Sequence, residues 1–477
     1  MESTVKKNLA YNFIYQILAV VLPLITTPYI SRVLGPKKLG EYSYSYAIAY
    51  YFVMITMLGL NNYGNRSIAM VRDDKECLAK EFSSIYFMQL VTGLISLVIY
   101  IVYGLLFSNA TMTWILSLYV ISAIFDINWF FFGIEQFKLT VTRNSFIKIA
   151  TTLCIFVFVK NQEDIYIYGL IMVVGILASQ LVLWPFLKRY TKLVKVSYKD
   201  VVRHIKPNLI LFIPIIAVSL YKVMDKIMLG ILTTKTEVGL YEASERVIQI
   251  PMAFIQSMGT VMLPKMTNLV AKNDEKATEI YFSKSIMFVM FLSASLCFGI
   301  MGCARYFVPF YYGSGYWKCV YLFQILLPSC VFLAFANVIR TQYLIPRKKD
   351  RIYITSVIMG AIVNLIINFL LIPQFASIGA AIGTLIAEIT VCIYQAVSIR
   401  KEIPIEKNAL ESLIYVIPAI VMYLLLLLVN PPYSAVANLF ILVILGVNIY
   451  CVVLILMLLI TKKIYVIRLL FGKVIKK

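Results

Sequence analysis

The chain holds 477 residues, 61% of them hydrophobic and only 14% charged, where a soluble domain has about half and a quarter; a water-soluble enzyme is excluded at once. Lysine and arginine total 44 against 23 aspartate and glutamate, a formal net charge of +21, and in so apolar a chain that excess points to a membrane before nucleic acid. Eight scattered cysteines without a C-x-x-C pair, and a single histidine, His204, support neither a disulfide framework, nor a metal centre, nor a cofactor.

A helix needs about 20 mostly apolar residues to cross a bilayer. Fourteen runs qualify, beginning near Leu9, Tyr42, Phe82, Thr111, Lys138, Ile165, Pro207, Val238, Tyr281, Trp317, Arg351, Ser377, Leu410 and Ala437. The first follows a charged start, Met1 to Lys7, as in a signal peptide. Pro23 and Pro28 interrupt it and no small-residue cleavage site follows, so it reads as a retained span. With the N-terminus in the cytoplasm, the even-numbered loops and both termini should collect the cations. They hold 33 of the 44, including Arg66, Arg72, Lys75, Lys80 and the runs Lys188 to Lys206 and Lys462 to Lys477, against 7 in outer loops and 4 within spans. Most of the +21 is therefore an orientation signal. Outer loops are short, and no inner loop carries the G-x-x-x-x-G-K-[ST] cradle for ATP phosphates.

Two halves of the chain share spacing. Gly40-Glu41-Tyr42-Ser43-Tyr44-Ser45 and Gly239-Leu240-Tyr241-Glu242-Ala243-Ser244 share G-x-Y-x-x-S 199 residues apart, Phe82-Ser83 and Phe282-Ser283 match at 200, and Arg143/Arg351 and Gln180/Glu388 at 208. The expected architecture is an all-α integral membrane protein of about 14 transmembrane helices: two pseudo-symmetric six-helix bundles, residues 1–195 and 196–402, with two more helices and a basic cytoplasmic tail in 403–477. An even number of helices per copy leaves both copies in one orientation, so their relating axis would run along the membrane normal.

Pro28-Tyr29-Ile30-Ser31-Arg32-Val33-Leu34-Gly35 followed by Gly40-Glu41-Tyr42 resembles the opening of bacterial polysaccharide repeat-unit flippases of the Wzx type. Asp225-Lys226-Ile227-Met228-Leu229-Gly230 with Val238-Gly239-Leu240-Tyr241 resembles the start of their second bundle. The resemblance implies the multidrug/oligosaccharidyl-lipid/polysaccharide exporter superfamily, whose members move lipid-linked sugars or drugs by alternating access.

Ionised side chains inside a bilayer cost about 2.5 to 3.5 kcal/mol on insertion scales and normally face a cavity or a partner. They concentrate in spans seven and eight, where Lys222, Asp225 and Lys226 share one helical face and Glu242, Glu245 and Arg246 share another. Three cations and three carboxylates could close a purely structural network. Alternatively Lys222, Lys226 and Arg246 meet substrate phosphate, while protonation of Asp225, Glu242 or Glu245 couples transport to an ion gradient. Arg32, at the outer end of span one, is an anchor or a phosphate contact. Lys148 and Asp126 could pair with each other, or Lys148 could meet substrate. Glu388 falls near the midplane beside Asn364 and Asn368, a candidate proton or cation site. Tyr46 and Tyr50 share a face on which a sugar ring could stack.

The expected function is a non-enzymatic flippase that takes an undecaprenyl-pyrophosphate-linked oligosaccharide from the cytoplasmic to the outer leaflet of a bacterial cell membrane, for capsule, exopolysaccharide or O-antigen assembly. That substrate class comes from the resemblance. Partners would be membrane lipids, a polysaccharide polymerase and glycosyltransferases, with no nucleic acid. A drug exporter of the same fold is less favoured, because such proteins commonly carry an acidic residue in span one and Leu9 to Arg32 has none. A polysaccharide polymerase would be expected to present a larger outer loop than any here.

Overall fold

The computed structural model describes the backbone of residues 2–108 and 110–461, and their side chains apart from those of 2–17, 19, 20, 221 and 222. Within these residues the chain is helical, without a strand: α1 (Glu2–Met57), α2 (Leu60–Val71), α3 (Lys75–Phe107), α4 (Thr111–Ile124), α5 (Asn128–Gly133), α6 (Phe137–Phe158), α7 (Ile165–Leu181), α8 (Leu183–Leu187), α9 (Tyr198–Val202), α10 (Ile205–Leu232), α11 (Lys235–Ala271), α12 (Glu275–Tyr312), α13 (Lys318–Ile339), α14 (Asp350–Phe375), α15 (Ser377–Ile399), α16 (Ile405–Leu428) and α17 (Ala435–Ile460).

Among the described residues thirteen stretches are long and apolar enough to cross a membrane. The first, Val21–Val71, has 51 residues, about 76 Å of helix against a hydrocarbon core of about 30 Å, so it holds more than one span. It is broken at Gly35, whose φ of 71° with ψ of 170° is open only to glycine, and Pro36 follows. The two expected spans at Leu9 and Tyr42 lie on either side of that break. Membrane helices of this kind follow from composition, since every backbone amide must be bonded within its own segment where no water reaches it.

The chain divides into two compact units, Met1–Gly239 and Leu240–Lys477. In the first, α1 packs on α3, α4 and α6, and α4 on α7. Its core has two parts: Leu34, Tyr42, Tyr100, Leu116 and Ile165 around α1 and α4, and Phe82, Ile85, Trp129, Phe130 and Leu183 around α3 and α5. In the second, α12 packs on α13, α16 and α17, and α14 and α15 form the most extensive pair. That pair meets at Gly379 and Gly383, where an added Cβ would lie 2.5 Å from Leu371 backbone and 2.1 Å from Asn368 Oδ1. Small residues thus let the two helices approach closely, as their four-residue spacing suggests.

Candidate functional site

In the second unit, α11 shows how its sequence sorts polar from apolar. Tyr241, Ala243, Ser244, Val247 and Ile248 are buried. Tyr241 and Thr384 hydroxyls lie 2.8 Å apart, Tyr312 donates to the Ala243 carbonyl at 2.6 Å, and Cys319 Sγ to the Leu240 carbonyl at 3.4 Å. These contacts fix the face that α11 turns to α12, α13 and α15. Glu242, Glu245 and Arg246, at i, i+3 and i+4, occupy the remaining, half-open stripe. Arg246 Nε donates to Glu242 Oε1 at 3.0 Å, with side chains 36% and 18% exposed. The pair is therefore neither sealed in the core nor fully solvated.

Deeper in the same unit, Asn364, Asn368 and Glu388 are buried. Asn368 donates to Asn364 Oδ1 at 3.1 Å, and the missing side chain of Gly383 makes room for that amide. One helical turn beyond Glu388 stands Cys392, and Gln395 donates to Ser356 Oγ at 2.8 Å. A line of polar groups thus runs along the α14–α15 seam within the span.

In the first unit, Asp225 is buried, with Lys226 half-buried beside it. Asp225 lies within electrostatic reach of Tyr51, whose hydroxyl donates to the Ser219 carbonyl at 3.2 Å. Lys222 belongs to the same helix, but its side chain lies outside the described residues. Arg32 is exposed and Lys148 half-buried. Tyr46 stacks on Tyr119 at 4.8 Å and 12° with their hydroxyls 3.1 Å apart, and Tyr50 meets Tyr51 edge-on at 6.2 Å.

The Asp126 carboxylate accepts from the Asn128 backbone at 2.9 Å and its side chain at 2.7 Å. Asn128 in turn donates to Gln180 at 3.0 Å and accepts from buried Arg143 at 2.8 Å. Arg143 also donates to Asn144, which accepts from Ser179 at 3.1 Å. Arg143 and Gln180, prominent in the sequence only as repeat markers, thus belong to one partly buried network.

Among the described residues no three His, Cys, Asp or Glu side chains gather as a metal site. His204 is buried between the Tyr63 hydroxyl, 2.7 Å from Nδ1, and Ser84 Oγ, 2.8 Å from Nε2. It ties the turn between α9 and α10 to α2 and α3.

The family model described as "Polysaccharide biosynthesis protein" matches residues 5–270, more than half of the chain. The chain belongs to that family. It is similar to a putative O-antigen transporter of Escherichia coli K12, 25% identical over 394 residues, covering 81% of this chain and 94% of the relative. It is also similar to the probable low-salt glycan biosynthesis flippase Agl15 of Haloferax volcanii, 28% identical over 201 residues and 42% of each chain. The fold matches that of the lipid II flippase MurJ in its inward closed conformation, with a TM-score of 0.76 at 16% identity over 93% of this chain and 98% of that one.

This member of the polysaccharide biosynthesis family carries features that no spacing rule disclosed. In its second unit a cavity of about 470 Å³ is walled by Phe291, Gly299 and Cys303 of α12 and by Met422, Gly446 and Tyr450 of α16 and α17. Its walls are almost wholly apolar. It is a consequence of tertiary packing among three helices rather than of any motif. At the ends of the spans, Glu402 is bound by Tyr343 and Lys349, and Arg347 reaches Glu275. A π-helical turn, Arg340–Leu344, leads into that cluster.

Proposed function

We propose that this protein flips an undecaprenyl-pyrophosphate-linked oligosaccharide from the cytoplasmic to the outer leaflet of a bacterial cell membrane by alternating access, for capsule, exopolysaccharide or O-antigen assembly. The two moving bodies are the six-helix bundles of residues 1–195 and 196–402, with 403–477 as two added spans and both termini in the cytoplasm. Family membership, a relative named a putative O-antigen transporter and matched over 94% of its length, and the lipid II flippase fold support this reading.

The observation that carries it is the half-open stripe of Glu242, Glu245 and Arg246 inside a span. A charge in hydrocarbon is costly unless it meets water or a partner, and an Arg paired at 3.0 Å on a partly accessible face is a cation held ready for an anion. Protonating Glu242 removes the competing charge and leaves Arg246 to a phosphate, which gives charge-assisted and bidentate hydrogen bonds. Lys222, Lys226, Lys148 and Arg32 extend the phosphate contacts, and Tyr46 and Tyr50 meet the sugar. Asp225, Glu245 and Glu388 share the ion coupling with Glu242. The apolar cavity on α12, α16 and α17 suits a hydrocarbon chain, which gains by leaving no polar wall undersatisfied.

The test is replacement of Arg246 or Lys226 by Ala in cells that depend on the gene for surface polymer, with protein abundance matched. Loss of polymer with normal abundance is the expected result. Full polymer in both variants would reject the assignment of these cations to substrate.

A further inference from the structure

Gly40 stands five residues beyond the break in α1, and Gly239 occupies the corresponding place near the start of α11; both belong to the first unit. The two glycines meet. A Cβ on Gly40 would lie 1.6 Å from the Lys235 carbonyl oxygen and 2.8 Å from Gly239 N; one on Gly239 would lie 1.9 Å from the Pro36 carbonyl oxygen and 3.1 Å from Gly40 N. Pro36 and Lys235 are 199 residues apart, as are Gly40 and Gly239. Each repeat therefore presses its glycine on the carbonyl four residues before the other's glycine, the self-complementary pattern of a two-fold contact.

Neither glycine has positive φ, so backbone conformation does not call for it. In a helix each costs about 0.8 to 1.0 kcal/mol relative to alanine. What uses the missing side chains is the approach of two backbones. The surroundings fit the same contact: Lys235 Nζ donates to the Gly230 carbonyl at 2.8 Å and lies 3.0 Å over the Tyr44 ring, while a Cβ on Gly230 would come within 2.0 Å of that ring.

We propose that this reciprocal glycine contact is a clasp that shuts the outer end of the transport path and parts to release cargo. The proposal rests on the transport reading above. At the two glycines the seam is backbone on backbone, so parting there extracts no side chain but the Tyr44 ring, held between Gly230 and Lys235 Nζ. The groups it bares are peptide units already bonded within their own helices, so parting leaves no orphaned polar group.

The test measures the rate at which a membrane-impermeant thiol reagent, applied outside intact cells, labels Ser43→Cys in a full-length chain whose eight native cysteines are replaced. Ser43 is 6% exposed and lies one turn beyond Gly40. Gly40→Ala and Gly239→Ala are each expected to speed labelling roughly ten- to hundredfold, the range implied by overpacking a close contact. Ser293→Cys, in the core of the second unit, serves as a separate reporter and is expected to stay protected. Unchanged labelling at position 43 in both alanine variants overturns the clasp. So does simultaneous labelling at 43 and 293, the mark of a generally loosened fold. Faster labelling at 43 alone, in a protein that moves no lipid-linked sugar, would keep the clasp and sink the transport reading instead.

Discussion

Arg246 and Glu242 stand one helical turn apart on α11, joined at 3.0 Å on a stripe that the rest of their unit leaves half open. Hydrogen bonds to charged groups contribute about 1.5 to 3 kcal/mol, so Arg246→Ala is expected to slow transport roughly ten- to a hundredfold, with Arg246→Lys intermediate because it keeps the charge and loses the fork. Glu242→Gln keeps the shape and removes the titration. It is expected to flatten the pH profile of transport, and a profile identical to the parent's would count against proton coupling at this pair. A different acid matters to stability. Glu402 lies between spans, and donors from Lys349 and Tyr343 hold its carboxyl below the usual value of 4.5. A lowered folded-state value means that the contribution is complete above the unfolded value and is lost as pH falls through the folded one. Glu402→Gln should therefore lower the melting temperature at pH 7, and the gap to the parent should close as the pH falls below the usual carboxylate range. The effect is small, about 0.5 to 1 kcal/mol, since the side chain is 43% exposed.

At the scale of elements, thirteen of the fourteen expected span starts fall on helices and the other, Trp317, immediately precedes α13; several coincide closely, as at Thr111, Ile165 and Ser377. Two of the larger departures share one cause. Phe82 and Tyr281 are where hydropathy rises, yet α3 begins at Lys75 and α12 at Glu275. Both helices continue outward through a polar turn to an aspartate cap. Asp74 accepts from the Glu76 and Cys77 amides, and Asp274 from the Ala277 amide. The caps stand 200 residues apart, the spacing of Phe82-Ser83 and Phe282-Ser283. An Asp followed by a charged first turn is a readable start signal that a search for apolar runs passes over. Asp74→Ala and Asp274→Ala should each cost about 1 kcal/mol of stability, read as lower melting temperatures in detergent with transport retained. Gly35→Ala should cost more, about 1 to 3 kcal/mol, because its backbone lies where only glycine is at ease; an unchanged melting temperature would contradict the break between the first two spans.

At the scale of the whole molecule, hydropathy and the excess of cations in alternate loops made the membrane class and span count legible, because a bilayer imposes length and charge rules on every segment. The 199-residue spacing of Gly40 and Gly239 was legible, and the structure brings those two backbones into contact. The candidate site was legible only in part. Charges in spans announce themselves by their cost, so Glu242, Glu245, Arg246, Asp225 and Glu388 stood out, but the neutral members did not. Asn128, Asn144 and Ser179 around Arg143, and the apolar cavity on α12, α16 and α17, arise from contacts between residues far apart in sequence. The most direct test reconstitutes the purified protein in liposomes with a pyrophosphate-linked polyprenyl oligosaccharide and follows its movement between leaflets under a proton gradient. Transfer well above that of empty liposomes, strongly reduced by Arg246→Ala, is expected. Transfer no faster than in empty liposomes, or equal in parent and variant, would contradict a flippase that works through this charged stripe.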